Sequence, residues 1–358
     1  MMIYNLQVLR AVAAAMVVLH HLREALAEAF PSVVEIEVGA AGVDIFFVLS
    51  GVVITLTEEG RNDGAFAFLK RRALRIVPMY WLTLWLIGLA LFAGLSPIGV
   101  QPEDGTVGKM LLSMFFIPFE REHGAIMPLL GVGWTLNYEA FFYVVVAILL
   151  VLPGRFRSGA LVVVMLLLSL AGVLLQPDSV AGQFYLNPIL LEFAAGVVLA
   201  QLWLNWTGVV QSGAVVGTAL LCVGIALFAF AARPEEFTFL MRDRVLWFGI
   251  PAVCCVAGAL LLERSGHSLR TGWLQWLGAA SYVLYLSHAI VIQVAEKAFA
   301  RLNLALDETI AALSFAATVF VAAHLVGVAL HLYLERPITL KLKSKRAPAQ
   351  RERAAAGR

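Results

Sequence analysis

Residues 5–27 read NLQVLRAVAAAMVVLHHLREALA. An α-helix rises about 1.5 Å per residue, so a run of roughly 20 apolar residues is what one bilayer crossing needs. Ionisable side chains nevertheless lie inside the candidate span near 6–27, Arg10 and His21 among them. Eleven positions separate them, about 1100° of helical rotation, or three turns plus about 20°. Arg10 and His21 therefore share one stripe of the helix, about 16 Å apart along its axis, while His20 is turned about 100° away. A charge placed at membrane depth costs several kcal/mol unless it has a purpose or a partner. The bland reading is an arginine that snorkels to the headgroups and a histidine in a satisfied core contact.

Nine further apolar stretches of spanning length follow, near 39–57, 75–95, 130–152, 159–176, 185–204, 208–232, 245–262, 274–295 and 309–334. The expected fold class is all-α, a polytopic transmembrane helical bundle of about ten spans. The apolar stretch 107–119 is too short to cross and reads as an interfacial or re-entrant piece. The first segment lacks the basic start and small-residue cleavage site of a signal peptide. Composition agrees with the bundle. Of 358 residues, 61% are hydrophobic and 14% charged, and mean hydropathy is +0.86. A soluble domain carries roughly 25% charged residues, so a soluble enzyme, a disordered chain and a disulfide scaffold are all excluded. A net charge of +2 gives no electrostatic footprint for nucleic acid. Cys222, Cys254 and Cys255 lie in apolar runs without metal-ligand spacing, and no metal is expected. Residues 1–338 read as one membrane domain. Residues 339–358 read as a basic, Ala/Pro-rich cytoplasmic tail, disordered or resting on anionic lipid.

Lys and Arg set the orientation. With the N-terminus inside, 18 of the 26 fall on the cytoplasmic side and 8 outside. The inside group includes Arg61, Lys70, Arg71, Arg72, Arg75, Arg155, Arg157, Arg264, Arg270 and the tail. The outside group is Arg23, Lys109, Arg121, Arg233, Arg242, Arg244, Lys297 and Arg301. Both termini are then cytoplasmic, in a multi-pass protein of the inner membrane.

The other expensive residues form separate groups. Asp44 lies about five residues into the second span, and Arg10, His21 or Arg75 is its expected partner. Arg72 and Arg75, i and i+3, share a helix face in the run that closes the second connection and opens the third span. Guanidinium forks suit phosphate oxygens, although lipid-headgroup anchoring explains the run equally well. Glu139 begins the fourth span beside Trp134, Asn137, Tyr138 and Tyr143, which read as a polar pocket wall or as an interfacial belt. Asn187 and Glu192 form a weaker pair of the same kind. His288, His324 and His331 read as core histidines.

Taken together, these segments resemble the integral-membrane acyltransferase-3 family of O-acyltransferases. Arg10, ten intervening residues and His21 are similar to its arginine–histidine signature. GVDIFFVLSG around Asp44, KRRALRIVPMYW around Arg72 and Arg75, GWTLNYEAFFY around Glu139 and SYVLYLSH ending at His288 follow in family order over residues 5–338. NLQVLRA and GWTLNYEAFFY resemble the exopolysaccharide-modifying branch. Two positions depart from the pattern: Ala140 replaces a second carboxylate, and Ser287 stands where Trp is frequent. No extra extracytoplasmic hydrolase-like domain is expected.

The resemblance implies transfer of an acyl group, usually acetyl, from cytoplasmic acyl-CoA to a hydroxyl of a lipid-linked sugar or exopolysaccharide at the outer side. Acyl-CoA is a substrate here, and no permanently bound cofactor is implied. On this reading Arg10, Arg72 and Arg75 bind acyl-CoA. His21 is the general base, or carries the acyl group itself, since its ordinary pKa is near neutrality. Asp44 or Glu139 orients the imidazole, and Trp134, Asn137, Tyr138 and His288 are candidates for the acceptor pocket. A transporter or flippase of a lipid-linked saccharide is the competing reading, because intramembrane Arg, His and Asp also mark transport pathways. Oligomeric state is not legible.

Overall fold

The computed structural model describes residues 3–29, 37–93, 100, 102–122, 124–206, 212–231, 243–302 and 308–344. Arg233, Arg242 and the tail from Lys345 onward lie outside the described residues.

The helices are α1 (Tyr4–Ala29), α2 (Gly42–Glu58), α3 (Gly64–Phe92), α4 (Val107–Met114), α5 (Trp134–Leu149), α6 (Gly154–Leu175) and α7 (Val180–Tyr185). They continue with α8 (Leu190–Asn205), α9 (Gly213–Ala231), α10 (Ile250–Arg264), α11 (Gly272–Leu302), α12 (Glu308–Leu330) and α13 (Arg336–Ser344). Single π-turns precede α10 (Val245–Gly249) and α13 (His331–Glu335). Ten of the resulting helical stretches are long and apolar enough to cross a membrane, so this is a multi-pass membrane protein. Among the described residues the only β pairing is an isolated bridge between Glu120 and Ile126.

The largest boundary difference from the sequence expectation is at the third span. The third span starts at Gly64 rather than near 75, and the basic run Lys70–Arg75 lies within its helix. Hydropathy excludes charged residues from a span, but backbone hydrogen bonding does not. Long basic side chains can extend from a helix end while their stems stay against apolar neighbours. The short apolar piece of the 96–129 connection forms α4, eight residues capped by Thr106, whose hydroxyl accepts the Lys109 N–H at 3.2 Å. That is about 12 Å of helix, too short to cross.

α2 is the most enclosed span, and α6, α9 and α12 are the least enclosed. α2 packs on α8, where Gly51 and Gly196 bring the two backbones together. A Cβ on Gly51 would strike Phe193 O, and one on Gly196 would strike Val48 O. Small residues at such crossings are how membrane helices approach closely. α1 packs on α11, α2 and α12. Its first N–H groups, orphaned by helix geometry, are taken by Glu263: Tyr4 N–H at 3.2 Å and Asn5 N–H at 2.8 Å. The carboxylate also sits favourably at the positive end of the helix dipole. At the same end of the bundle, Arg157 donates to Arg61 O at 3.2 Å, Arg264 to Trp203 O at 2.6 Å, and Arg270 stacks on Tyr4. The cations of three connections assigned to one side thus gather on one face of the protein.

Candidate active site

α1 and α11 run parallel and in contact, because Gly278 leaves no Cβ to strike Gln7 O. The expected stripe of α1 therefore lies along a stripe of α11. Near the end that carries the cations, the Arg10 guanidinium donates to Ser281 Oγ from Nε at 3.3 Å and from Nη2 at 3.0 Å. Further along, His21 meets His288, with Nδ1 of His21 3.2 Å from Nε2 of His288 and ring centroids 4.8 Å apart. His288 is fully buried and His21 half-buried.

The neighbours of the two rings fix their protons. His288 Nδ1 lies 3.2 Å from Leu284 O, and a carbonyl only accepts, so this nitrogen carries the hydrogen. Nε2 of the neutral His288 ring is then an acceptor. His21 Nδ1, facing both that lone pair and Val17 O at 3.0 Å, must be the donor. In the neutral pair, Nε2 of His21 is left with its lone pair. That is the protonation state a general base or nucleophile requires.

Toward the cationic end lies a cavity with about 770 Å³ of empty space. Arg10, Arg72, Arg75, Glu139, Tyr143 and Tyr285 are among its lining residues. The Tyr285 hydroxyl is held by Thr135 at 2.9 Å and Val132 O at 2.7 Å. On α11, Tyr285 is three residues before His288, with ring centroids 5.9 Å apart. The cavity thus joins a cationic wall to the turn of α11 that precedes the imidazole pair. Arg72 and Arg75 also line a second space of about 940 Å³ with Thr57, Glu58, Arg61 and Arg71. Arg72 is 7% exposed, so its guanidinium is turned into the protein. It donates to Thr57 Oγ1 at 2.5 Å and Glu58 Oε1 at 3.3 Å, and lies over the Phe68 and Tyr143 rings. Headgroup anchoring does not account for an arginine so enclosed.

Neither candidate carboxylate sits on His21. Asp44 is paired with Arg244, not with Arg10, His21 or Arg75: Nε reaches Oδ1 at 3.0 Å and Nη2 reaches Oδ2 at 2.6 Å. A membrane-buried carboxylate takes the nearest fork that can satisfy both its oxygens, and α2 presents Asp44 to the π-turn segment. Glu139 lines the cavity instead, accepting from the Tyr143 hydroxyl and from Ser50 Oγ at 3.3 Å. Packing corrects the expected pocket wall on α5. Thr135, Glu139 and Tyr143, at i, i+4 and i+8, face the cavity, and Trp134, Asn137 and Tyr138 are absent from its lining. Tyr138 stacks on Phe184, Trp134 faces Arg244, and Asn137 is 1% exposed. Asn187 caps locally, its side-chain oxygen accepting Ile189 N–H at 2.9 Å, while Glu192 is buried near Gly249.

Arg244, Ser50 and Ser281 were not singled out by sequence. Arg244 directly adjoins an apolar run, which was the available signal; the two serines gave none. His288, expected as a core histidine or acceptor candidate, instead touches His21.

An acyltransferase domain family matches residues 3–332 of the chain. The exopolysaccharide production protein ExoZ of Rhizobium meliloti (strain 1021) is 34% identical over 316 residues, 87% of this chain and 93% of that protein. The acyltransferase MdmB of Streptomyces mycarofaciens is 27% identical over 346 residues, covering 87% and 83% of the two chains. A putative peptidoglycan O-acetyltransferase, YrhL of Bacillus subtilis (strain 168), is 27% identical over 282 residues, 71% of this chain and 44% of that protein. No solved structure matches.

Proposed function

Since the chain belongs to the acyltransferase-3 family of membrane acyltransferases, we propose that it moves an acyl group, acetyl by preference, from cytoplasmic acyl-CoA to a hydroxyl of a lipid-linked sugar or exopolysaccharide on the outer side. The observation that carries this reading is the cavity between Arg10, Arg72 and Arg75 and the turn of α11 below His21 and His288. Acyl-CoA is polyanionic at one end and thin and uncharged at the other. Its phosphates suit the guanidiniums around the second space, where Arg61, Arg71, Arg72 and Arg75 outnumber the one lining carboxylate, Glu58, which holds Arg71 and Arg72. Its pantetheine arm suits the mostly apolar cavity that Tyr285 lines. The exopolysaccharide relative supports a saccharide acceptor.

The chemistry follows from the lone pair on His21 Nε2. The acceptor hydroxyl gives its proton to Nε2 as its oxygen attacks the thioester carbonyl, and a C–O bond forms. The C–S bond then breaks, and the thiolate takes the proton from the imidazolium. The products are an ester and free CoA, with no net change in protons. General acid–base catalysis of this kind contributes about 10²–10⁴-fold.

The test uses membranes containing the protein, acetyl-CoA labelled in the acetyl group, and the polysaccharide of the producing cells. Label is expected in alkali-labile ester on the saccharide, equimolar with CoA released. CoA-independent labelling, or movement of a lipid-linked saccharide across the membrane with no ester formed, would overturn the reading.

A further inference from the structure

The residue that orients His21 is not a carboxylate. We infer that His288 is the positioning residue for His21, doing for it what an aspartate does in a Ser-His-Asp triad; this rests on His21 being the base. In such a triad the carboxylate fixes the tautomer and stabilises the imidazolium that forms. His288 has the geometry for both tasks. Its Nε2 accepts the Nδ1–H of His21 at 3.2 Å, and its own Nδ1–H is anchored on Leu284 O. It is fully buried on the long helix α11, and Leu284 packs with Ala14, Val18 and Ala323 in the small cluster alongside.

Among the described residues, the carboxylates considered for this role are placed elsewhere. Asp44 is held by Arg244, Glu139 by Tyr143 and Ser50, and Glu24 lies 3.5 Å from His20. A neutral partner also has a physical advantage in this place. A permanent carboxylate at membrane depth carries a desolvation penalty of several kcal/mol, which an imidazole avoids. When His21 takes the hydroxyl proton on Nε2, its Nδ1–H becomes the donor of a cation. The bond to His288 then turns charge-assisted and strengthens only as the reaction proceeds. Such an interaction raises kcat rather than affinity.

The experiment replaces His288 by Gln and by Leu, alone and together with His21→Ala, in membranes matched for folded protein, and measures kcat and KM with acetyl-CoA. His288→Leu removes the acceptor, and kcat should fall about 100-fold while KM for acetyl-CoA changes less than about twofold. Glutamine places an amide oxygen near the lost Nε2, so His288→Gln should retain at least a tenth of the wild-type kcat, about tenfold above His288→Leu. In the His21→Ala background, His288→Leu should add no further loss, since it acts through the missing ring. A His288→Leu variant with full kcat, a Gln variant no better than Leu, or a further loss in the double variant would each overturn the assignment. If His21→Ala alone keeps normal transfer, the base reading and the positioning role both fail. If His21→Ala abolishes transfer while His288→Leu does not, only the positioning role fails.

Discussion

Arg244 grips Asp44 with both ends of its fork, at 3.0 and 2.6 Å, and the two side chains are 3% and 0% exposed. Nη2 also donates to Ala40 O at 2.9 Å, and the guanidinium lies over the Phe248 ring at 5.0 Å. The pair ties the start of α2 to the π-turn before α10, 200 residues away in sequence. It gives Asp44 a role in holding the bundle together.

Breaking a buried pair strands an uncompensated charge, at a cost of about 3–5 kcal/mol. Arg244→Leu and Asp44→Leu should each lower the thermal stability of the detergent-solubilised protein markedly. The double replacement should recover most of the loss, because no charge is then left alone. Heating curves followed by size-exclusion recovery read this directly. Single variants as heat-resistant as the parent would remove Asp44 from any structural role.

At the cationic end, Arg72→Ala and Arg75→Ala should each raise KM for acetyl-CoA while the protein still inserts. Losing one fork to phosphate removes charge-assisted hydrogen bonds of roughly 1.5–3 kcal/mol, which corresponds to about ten- to 150-fold. Lysine should restore only part of this, lacking the bidentate contact. Equilibrium binding of labelled acetyl-CoA to purified variants is the check. Unchanged affinity in both alanine variants would remove these arginines from the donor site.

His21→Ala should reduce transfer at least 10²-fold, the low end for acid–base catalysis. His20→Ala should cost far less, although the His20 ring lies edge-on to His21 with centroids 5.1 Å apart. Contact alone does not place it on the stripe that Arg10 and His21 share, from which it is turned about 100°. Initial rates in membranes matched for expression distinguish the two. Abolition by His20→Ala with retention in His21→Ala would reverse the assignment.

The face that gathers Arg61, Arg157, Arg264 and Arg270 should be cytoplasmic, and the Lys109–Asp104–Glu122 cluster of the long connection should be outside. Single cysteines in place of Arg61 and Glu122, in a background lacking the native cysteines, can be probed with an impermeant maleimide in whole cells. Labelling is expected at position 122 and not at 61. The opposite pattern would invert the protein and the side from which acyl-CoA enters.

Some of this architecture is one-dimensional information. The length of an apolar run decides whether a helix can cross a bilayer, so the ten spans were readable directly. Helical phase within a single helix is equally local, and the Arg10–His21 stripe needed only 3.6 residues per turn. Phase alone did not say which side of a helix faces the cavity. On α5 both faces carry polar residues, and only packing selected Thr135, Glu139 and Tyr143 over Trp134, Asn137 and Tyr138.

What joins one helix to another was decided by tertiary structure. Asp44 had several cations within reach on paper, and the order and axial offset of the packed helices gave it Arg244. His21 had two carboxylates as expected partners and received His288, 267 residues distant. The physical reason is the same in both cases. A buried polar group bonds to whatever side chain the neighbouring helix presents at its depth and angle, and those two coordinates are properties of the packed bundle. The sequence alone determined that an imidazole and a guanidinium would share one face of a membrane helix. The fold determined which side chains meet them there.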